Sequence, residues 1–287
     1  MTQSYGCITL TQNQRPDDLR RAVDSLLRQR GVEVDVVVVG NGCKPNGLTR
    51  TVRSITLPEN LGVPGGRNAG VPHVAGELLL FIDDDASFAE DDALQRIGEM
   101  FAADPRLGAV QPRLADPSGR PAPRRWVPRL RVGNPARSSE ATLMSEAAVV
   151  VRRSAFEQVG GWPGTFFLFA EGADLAWRLQ EAGYRIWYAG DVVAFHPAPL
   201  TGRRGQSRHL AARNRVWLAR RNLPLPLAAA YVTGWFVRMA AGSRSVDDVE
   251  DVLRGYRDGF REPAGERRPV SWRTIWRMTR AGRPPII

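Results

Sequence analysis

Along this chain, runs of consecutive apolar residues alternate with stretches in which apolar residues recur every three or four positions, the patterns of buried strands and amphipathic helices. Residues 6–11 predict a first strand. Pro16 and Asp17 open a helix in which Leu19, Val23, Leu26 and Leu27 share one face, and Gly31 ends it. Residues 32–39 include four consecutive valines, which suits a strand covered on both faces of a parallel sheet. A third strand is predicted over 52–57, and a glycine-rich stretch over 62–70 leads into a short helix. Residues 78–82 form another continuous apolar strand that stops at three aspartates, and 91–103 form a helix with Leu94, Ile97 and Phe101 on one side. Strand and helix alternating in this way imply a doubly wound α/β sheet.

After Gly108 the pattern changes. Residues 112–135 are rich in proline and arginine and read as a long irregular excursion. A buried strand is predicted over 147–151, a glycine and aromatic loop over 160–169, a helix over 171–182, and two short strands over 185–188 and 192–195. From Gln206 the chain turns helical and basic. The reading is therefore a body of residues 1–200 and a mostly helical extension of 201–287.

Charge sharpens that division. The net charge of +10 is uneven: residues 1–200 carry 22 basic and 23 acidic side chains, and residues 201–287 carry 18 basic and 7 acidic. A basic region suits nucleic acid, an anionic membrane surface or an anionic small substrate. No nucleic-acid motif accompanies the arginines, which argues against that partner. The two cysteines, Cys7 and Cys43, lack zinc-ligand spacing and fit a reduced chain better than a disulfide scaffold. The first ten residues lack the order of a secretory leader, and the longest apolar candidate, 223–237, is too short to span a bilayer and holds Pro224, Pro226 and Gly234. A cytoplasmic location is expected, with peripheral contact on the inner face of the membrane as a further reading of the basic extension.

The chemistry concentrates at Asp83, Asp84 and Asp85. In open α/β sheets ligands bind beyond the carboxyl ends of strands. Adjacent carboxylates repel, and a cation offsets that repulsion. Oxygen donors favour Mg²⁺ or Mn²⁺, held by one or two carboxylates together with substrate phosphates. In extended backbone Asp83 and Asp85 point to one side and Asp84 to the other. His196 also ends a predicted strand, and imidazole nitrogen is an acceptable ligand for such a metal.

Four segments in order, residues 11–29, 60–70 (NLGVPGGRNAG), 79–86 (LLFIDDDA) and 160–196 (with AEGADLAWRLQEAGYRIWY), resemble the family 2 glycosyltransferases. The resemblance implies the A-type nucleotide-sugar fold, a Rossmann-like, mixed and mostly parallel sheet, here with a C-terminal helical extension. It implies inverting transfer of a sugar from a nucleoside-diphosphate donor to an acceptor hydroxyl, on a glycan, glycolipid or small molecule, in cell-envelope polysaccharide or glycolipid synthesis. Thr11 and Asn41 would border base and ribose, Arg67 and Asn68 would contact the donor, Asp83 and Asp84 would touch ribose or base, and Asp85 and His196 would hold the metal. Trp162, Phe167 and Phe169 would line the acceptor side. Arg203 and Arg204, in a glycine-flanked loop, would close over the diphosphate, and Gly62, Gly65 and Gly66 would let backbone approach the ligand.

Two positions depart from the family's pattern. Gly40 stands where an aspartate often meets the nucleobase. The family's acidic motif usually reads Glu-Asp-x-Asp with its first aspartate as base, whereas this chain reads Glu171-Gly172-Ala173-Asp174. The base is then Glu171 or Asp174, with Glu171 favoured. Two rival functions share the fold and the aspartates: a sugar nucleotidyltransferase, and a catalytically impaired nucleotide-sugar-binding protein. In the extension, arginines interleaved with Trp217, Trp272 and Trp276 suit either an anionic membrane surface or internal packing and a dimer interface.

Overall fold

A computed structural model describes residues 2–49, 52–198 and 206–286. Among these, nine strands form one sheet in the order β3-β2-β1-β4-β8-β6-β9-β5, with β7 also paired to β9. The first half runs β1 (Gln3–Thr11), α1 (Pro16–Leu27), β2 (Val32–Gly40), β3 (Arg53–Thr56), α2 (Gly62–Gly70), β4 (Leu78–Asp83), β5 (Ser87–Phe88) and α3 (Ala93–Ala103). The second runs β6 (Leu107–Ala115), β7 (Ser139–Ala141), β8 (Ala148–Arg152), α4 (Arg153–Gln158), α5 (Glu171–Glu181) and β9 (Arg185–Phe195). Strands β1 to β4 are mutually parallel, β6 is parallel to β9, and β8 runs antiparallel between β4 and β6. The mixed, mostly parallel sheet expected from the sequence is what the chain forms.

Alternation along β4 makes two cores. Leu78, Leu80 and Ile82 pack with Leu94, Ile97 and Phe101 of α3 on one face. Leu79 and Phe81 pack with Phe156, Trp162, Leu175 and Leu179 on the other. All five β4 residues are at most 1% exposed. Because β8 runs against β4, with Ile82 opposite Ala148, the residues just before β8 lie beside the aspartates that follow β4. This antiparallel insertion brings two distant segments to one end of the sheet.

Four expectations change. The glycine-rich stretch 62–70 is itself helix α2. The excursion after Gly108 begins later, since β6 continues through Pro112 at a register irregularity, where a missing N–H is tolerated. The two short strands after Arg185 are one strand, β9. Two short strands, β5 and β7, had no visible pattern in the sequence.

The extension contains α6 (Gln206–Asn222), α7 (Leu225–Ala241), α8 (Val246–Arg261) and α9 (Trp272–Arg280). It shares a third core with the body: Trp217, Tyr231, Ile275 and Met278 pack with Phe166 and Trp177 of α5. No helix among the described residues is long and apolar enough to cross a membrane. Arg203 and Arg204 lie outside the described residues.

Candidate active site

At the end of β4 the three aspartates diverge, though not as an extended segment: Asp83 is the last residue of the strand, and Asp84 and Asp85 lie in a turn closed by the Ala86 N–H to Asp83 O at 3.0 Å. Ligand atoms of Asp83, Asp85 and His196 lie within 4.8 Å of one another. His196 Nε2 is 3.3 Å from Asp85 Oδ1 and 3.7 Å from Asp83 Oδ2. His196 is fixed by its backbone N–H to Ala115 O (2.9 Å) and by an edge-on contact with Trp126, ring centroids 5.3 Å apart. Burial alone would favour the neutral imidazole, but hydrogen bonding and charge from Asp83 and Asp85 outweigh it and raise its pKa to about 9. Its buried Nδ1 has no partner. Asp84 turns the other way and accepts a hydrogen bond from Thr11 Oγ1 at 2.7 Å. Burial lifts the Asp84 carboxyl to about 6, against the pull of that hydrogen bond.

Cations surround the aspartates. Arg15 pairs with Asp85, a contact the sequence reading did not anticipate. Burial raises the Asp85 carboxyl, yet His196 and Arg15 together bring it below its ordinary value. Arg67 is 1% exposed; its Nη2 donates to Asp83 Oδ1 (2.7 Å) and to Glu146 O (2.8 Å). Its guanidinium carbon sits 5.3 Å from the Trp162 ring centroid, and its Nε and Nη1 have no partner. A buried cation with unpartnered N–H groups fits a place that receives an anion.

Several expected donor and acceptor contacts instead hold the scaffold. The Asn41 side chain donates to Asn60 Oδ1 (2.7 Å) and Gly62 O (3.1 Å) and accepts from Leu61 N–H (2.8 Å), which ties the end of β2 to the start of α2. The Asn68 amide donates to Trp162 O (2.9 Å) and accepts from Trp162 N–H (3.0 Å). Trp162 is 2% exposed and packs edge-on against Phe81, so its ring belongs to the core and not to an acceptor surface. Gly62 serves packing too: at φ +73° it lies against the Phe167 backbone, where a Cβ would come within 2.4 Å.

The loop before α5 is strained. Phe167, Phe169 and Ala170 all have positive φ, at 64°, 75° and 67°. Non-glycine residues hold such angles only when their surroundings impose them. Asn214, fully buried on α6, donates to the carbonyls of Phe166 (2.8 Å), Leu168 (2.7 Å) and Phe169 (2.9 Å), and Val63 N–H donates to Phe167 O at 2.7 Å. Phe167 is half-buried, and Phe169 is exposed, beside the first turn of α5.

The two candidate bases separate. Asp174 is fully buried, with Oδ1 bound by Arg178 (2.6 Å) and Oδ2 by Arg221 (3.0 Å) and Asn222 (2.8 Å). It is a cross-link between α5 and α6, sealed from any acceptor. Glu171 is 3% exposed, and its Oε2 has no partner. Burial, and then the charge of Glu146, push its carboxyl well above the ordinary range. Glu146, which sequence reasoning passed over, accepts the Gly172 N–H at 2.6 Å.

Two carboxylate oxygens and an imidazole nitrogen, gathered at a strand end beside unpartnered donors, fit a hard or borderline divalent cation. Residues 7–160 match the family described as Glycosyl transferase family 2. The N-acetylglucosaminyl-diphospho-decaprenol L-rhamnosyltransferase of Mycobacterium tuberculosis is 34% identical over 268 residues, covering 77% of this chain and 86% of that protein. The pre-mycofactocin glycosyltransferase of the same organism is 28% identical over 191 residues, covering 62% of this chain; the match takes in only 39% of that longer relative's length. Among solved structures, residues 1–349 of S. aureus TarS in complex with UDP-GlcNAc superpose with a TM-score of 0.64 at 15% identity, covering 96% of this chain and 83% of that one. A mannosyltransferase from Pyrobaculum calidifontis, in complex with GDP-Man and Mn²⁺, does so with a TM-score of 0.59 at 19% identity, covering 98% and 85%. The sheet order, the acidic group beyond β4 and these matches agree: the chain belongs to glycosyl transferase family 2.

Proposed function

We propose that this chain transfers a sugar, with inversion, from a nucleoside-diphosphate donor to an acceptor hydroxyl in cell-envelope polysaccharide or glycolipid synthesis. The observation that carries the reading is the Asp83, Asp85 and His196 group at the end of β4. Those three residues would hold Mg²⁺ or Mn²⁺, and the cation supplies Lewis-acid stabilisation of the leaving diphosphate. Arg67 offers its two unpartnered nitrogens, Nε and Nη1, to donor charge. Thr11 and Asp84, joined to each other, border the base and ribose. A carboxylate at the first turn of α5 takes the acceptor proton, and since Asp174 is saturated, that leaves the pair Glu146 and Glu171. Phe167 and Phe169 present the acceptor side, on a loop whose backbone is fixed from both ends. The relative of M. tuberculosis supports a rhamnosyl donor and a lipid-diphosphate acceptor as the first pair to try.

The test is nucleoside-diphosphate release from UDP-GlcNAc, GDP-mannose and dTDP-L-rhamnose, with Mn²⁺, with Mg²⁺ and with EDTA. Release with one donor, stopped by EDTA, is expected. Asp85→Asn should lower Mn²⁺ affinity at least ~10–100-fold, the cost of losing even an indirect metal partner. Pyrophosphate release from a nucleoside triphosphate would instead make the chain a nucleotidyltransferase.

Membrane contact belongs to the same proposal. On α9, Trp272 and Trp276 are 58% and 57% exposed, one turn apart, with Arg273, Arg277 and Arg280 alongside. The face suits an anionic lipid surface, where tryptophan sits at the headgroup level and arginine meets phosphate.

A further inference from the structure

We infer that Glu146 is the catalytic base of this chain, standing in the place that a side chain on residue 172 would otherwise fill. The inference rests on the glycosyl-transfer reading above and names its proton acceptor. A Cβ built on Gly172 would lie 2.1 Å from Glu146 Oε1, 2.6 Å from its Cδ and 2.9 Å from its Cγ. No side chain at 172 coexists with Glu146 in this position. The space beside the first turn of α5 therefore holds a carboxylate that arrives from the segment before β8 and not from the helix. The antiparallel pairing of β8 with β4 delivers it there, next to Ala147, whose carbonyl accepts the Asp83 N–H at 2.9 Å.

Glu146 and Glu171 differ in what supports a negative charge. Glu146 Oε1 accepts the Gly172 N–H, one of the free donors of the α5 terminus, at 2.6 Å. Glu171 Oε2 has no partner and the residue is 3% exposed. Two neighbouring buried carboxyls do not both ionise readily. Burial raises both carboxyls; Arg67 and the Gly172 N–H draw Glu146 back toward the anion, and the charge of Glu146 raises Glu171 further. Glu146 is half-buried as a residue, whereas Glu171 is sealed. Its own carbonyl receives the Arg67 nitrogen that also binds Asp83, so the base and the acidic group are linked through one guanidinium.

The step balances simply. The acceptor oxygen forms a bond to the anomeric carbon. The bond from that carbon to the diphosphate oxygen breaks, and its electron pair leaves on the diphosphate. The hydroxyl proton passes to the Glu146 carboxylate, which becomes neutral.

The experiment uses the full chain with Mn²⁺, the three donors named above, and N-acetylglucosaminyl-diphospho-decaprenol or water as acceptor. Glycoside and free sugar are measured as products, and the UDP-induced thermal shift reports donor binding and folding. Glu146→Gln should lose about 10²–10⁴-fold in transfer, the contribution typical of a general base, with the UDP shift kept. Glu171→Gln, which mimics a protonated carboxyl, should lower transfer far less than Glu146→Gln does. The double variant E146G/G172D returns the carboxylate to the helix and should recover most of the loss, even if Glu146→Gln folds poorly. Glu146→Gln at wild-type rate, or a loss confined to Glu171→Gln, overturns the assignment. A wild-type chain that forms neither glycoside nor free sugar with any donor, and shows no UDP shift, overturns the glycosyl-transfer reading itself and takes this assignment with it.

Discussion

Residue 172 shows how one side chain's absence shapes its surroundings. The tetrapeptide Glu171-Gly172-Ala173-Asp174 displays two acids in sequence, and the structure gives neither of them a free, accessible carboxylate. Asp174 is held by two arginines and an asparagine, and Glu171 is sealed. Glu146 was legible only by an indirect route: an acid directly before an apolar strand mirrors the aspartates directly after β4, but only once the two strands are known to run in opposite directions. By contrast, the opposed directions of Asp83 and Asp85 against Asp84 were legible from the two-residue period of extended backbone, although the chain reaches them through a turn at Asp84 and Asp85. The buried pair also makes stability pH-dependent. Burial, and then Glu146, raise the Glu171 carboxyl above its ordinary 4.5, so the folded chain binds that proton more tightly than the unfolded one. Stability is then full below about pH 4.5 and falls as pH rises toward the raised value, by up to about 1.4 kcal/mol per pH unit for one proton. Denaturation of EDTA-treated protein across that range should show the slope, and Glu171→Gln should make it shallower, Asp84 and His196 keeping part of it.

At the scale of elements, the sequence showed most clearly the parts whose burial is two-sided. The valine run of β2 and the apolar run of β4 were read within a residue or so of their ends. The failures share a cause, since in each a local propensity is overruled by packing. Helix α2 contains four glycines, poor helix formers, yet Gly66 and Gly70 let it lie directly on Leu10 and Ile8, where Cβ atoms would come within 2.4 and 2.6 Å. Strand β6 tolerates Pro112 because its register with β9 already shifts there. The loop before α5 was recognised as an aromatic loop, but nothing local forecast its three strained residues or the amide that holds them. Asn214→Ala removes three carbonyl partners. It should cost about 1–3 kcal/mol, the usual penalty for stranding buried polar groups. Acceptor KM should rise more than donor KM if the loop positions the acceptor, and equal changes in both would remove that role.

For the whole molecule, the sequence divides its charge unevenly between body and extension. The basic extension packs against α5, and its outer face carries the exposed tryptophans of α9. Co-sedimentation at low salt should show the protein on phosphatidylglycerol vesicles and not on phosphatidylcholine alone. The double variant W272A/W276A should reduce that binding with the melting temperature retained. A variant that sediments as well as wild type would exclude α9 as the contact.

The stretch that matches the family ends at residue 160, short of the loop before α5 and of the α6 residues that hold it. Asn214, Arg221 and Asn222 all reach back from α6 to the loop before α5 or to Asp174. A chain cut after residue 198 would expose the faces of Phe166 and Trp177 and leave Asp174 with one guanidinium in place of two. Trimming to the stretch of the family match should therefore yield aggregation and not a smaller working enzyme, and the intact protein should melt in a single calorimetric peak. The shared family stretch marks one border along this polypeptide, and cooperative unfolding marks another, farther out.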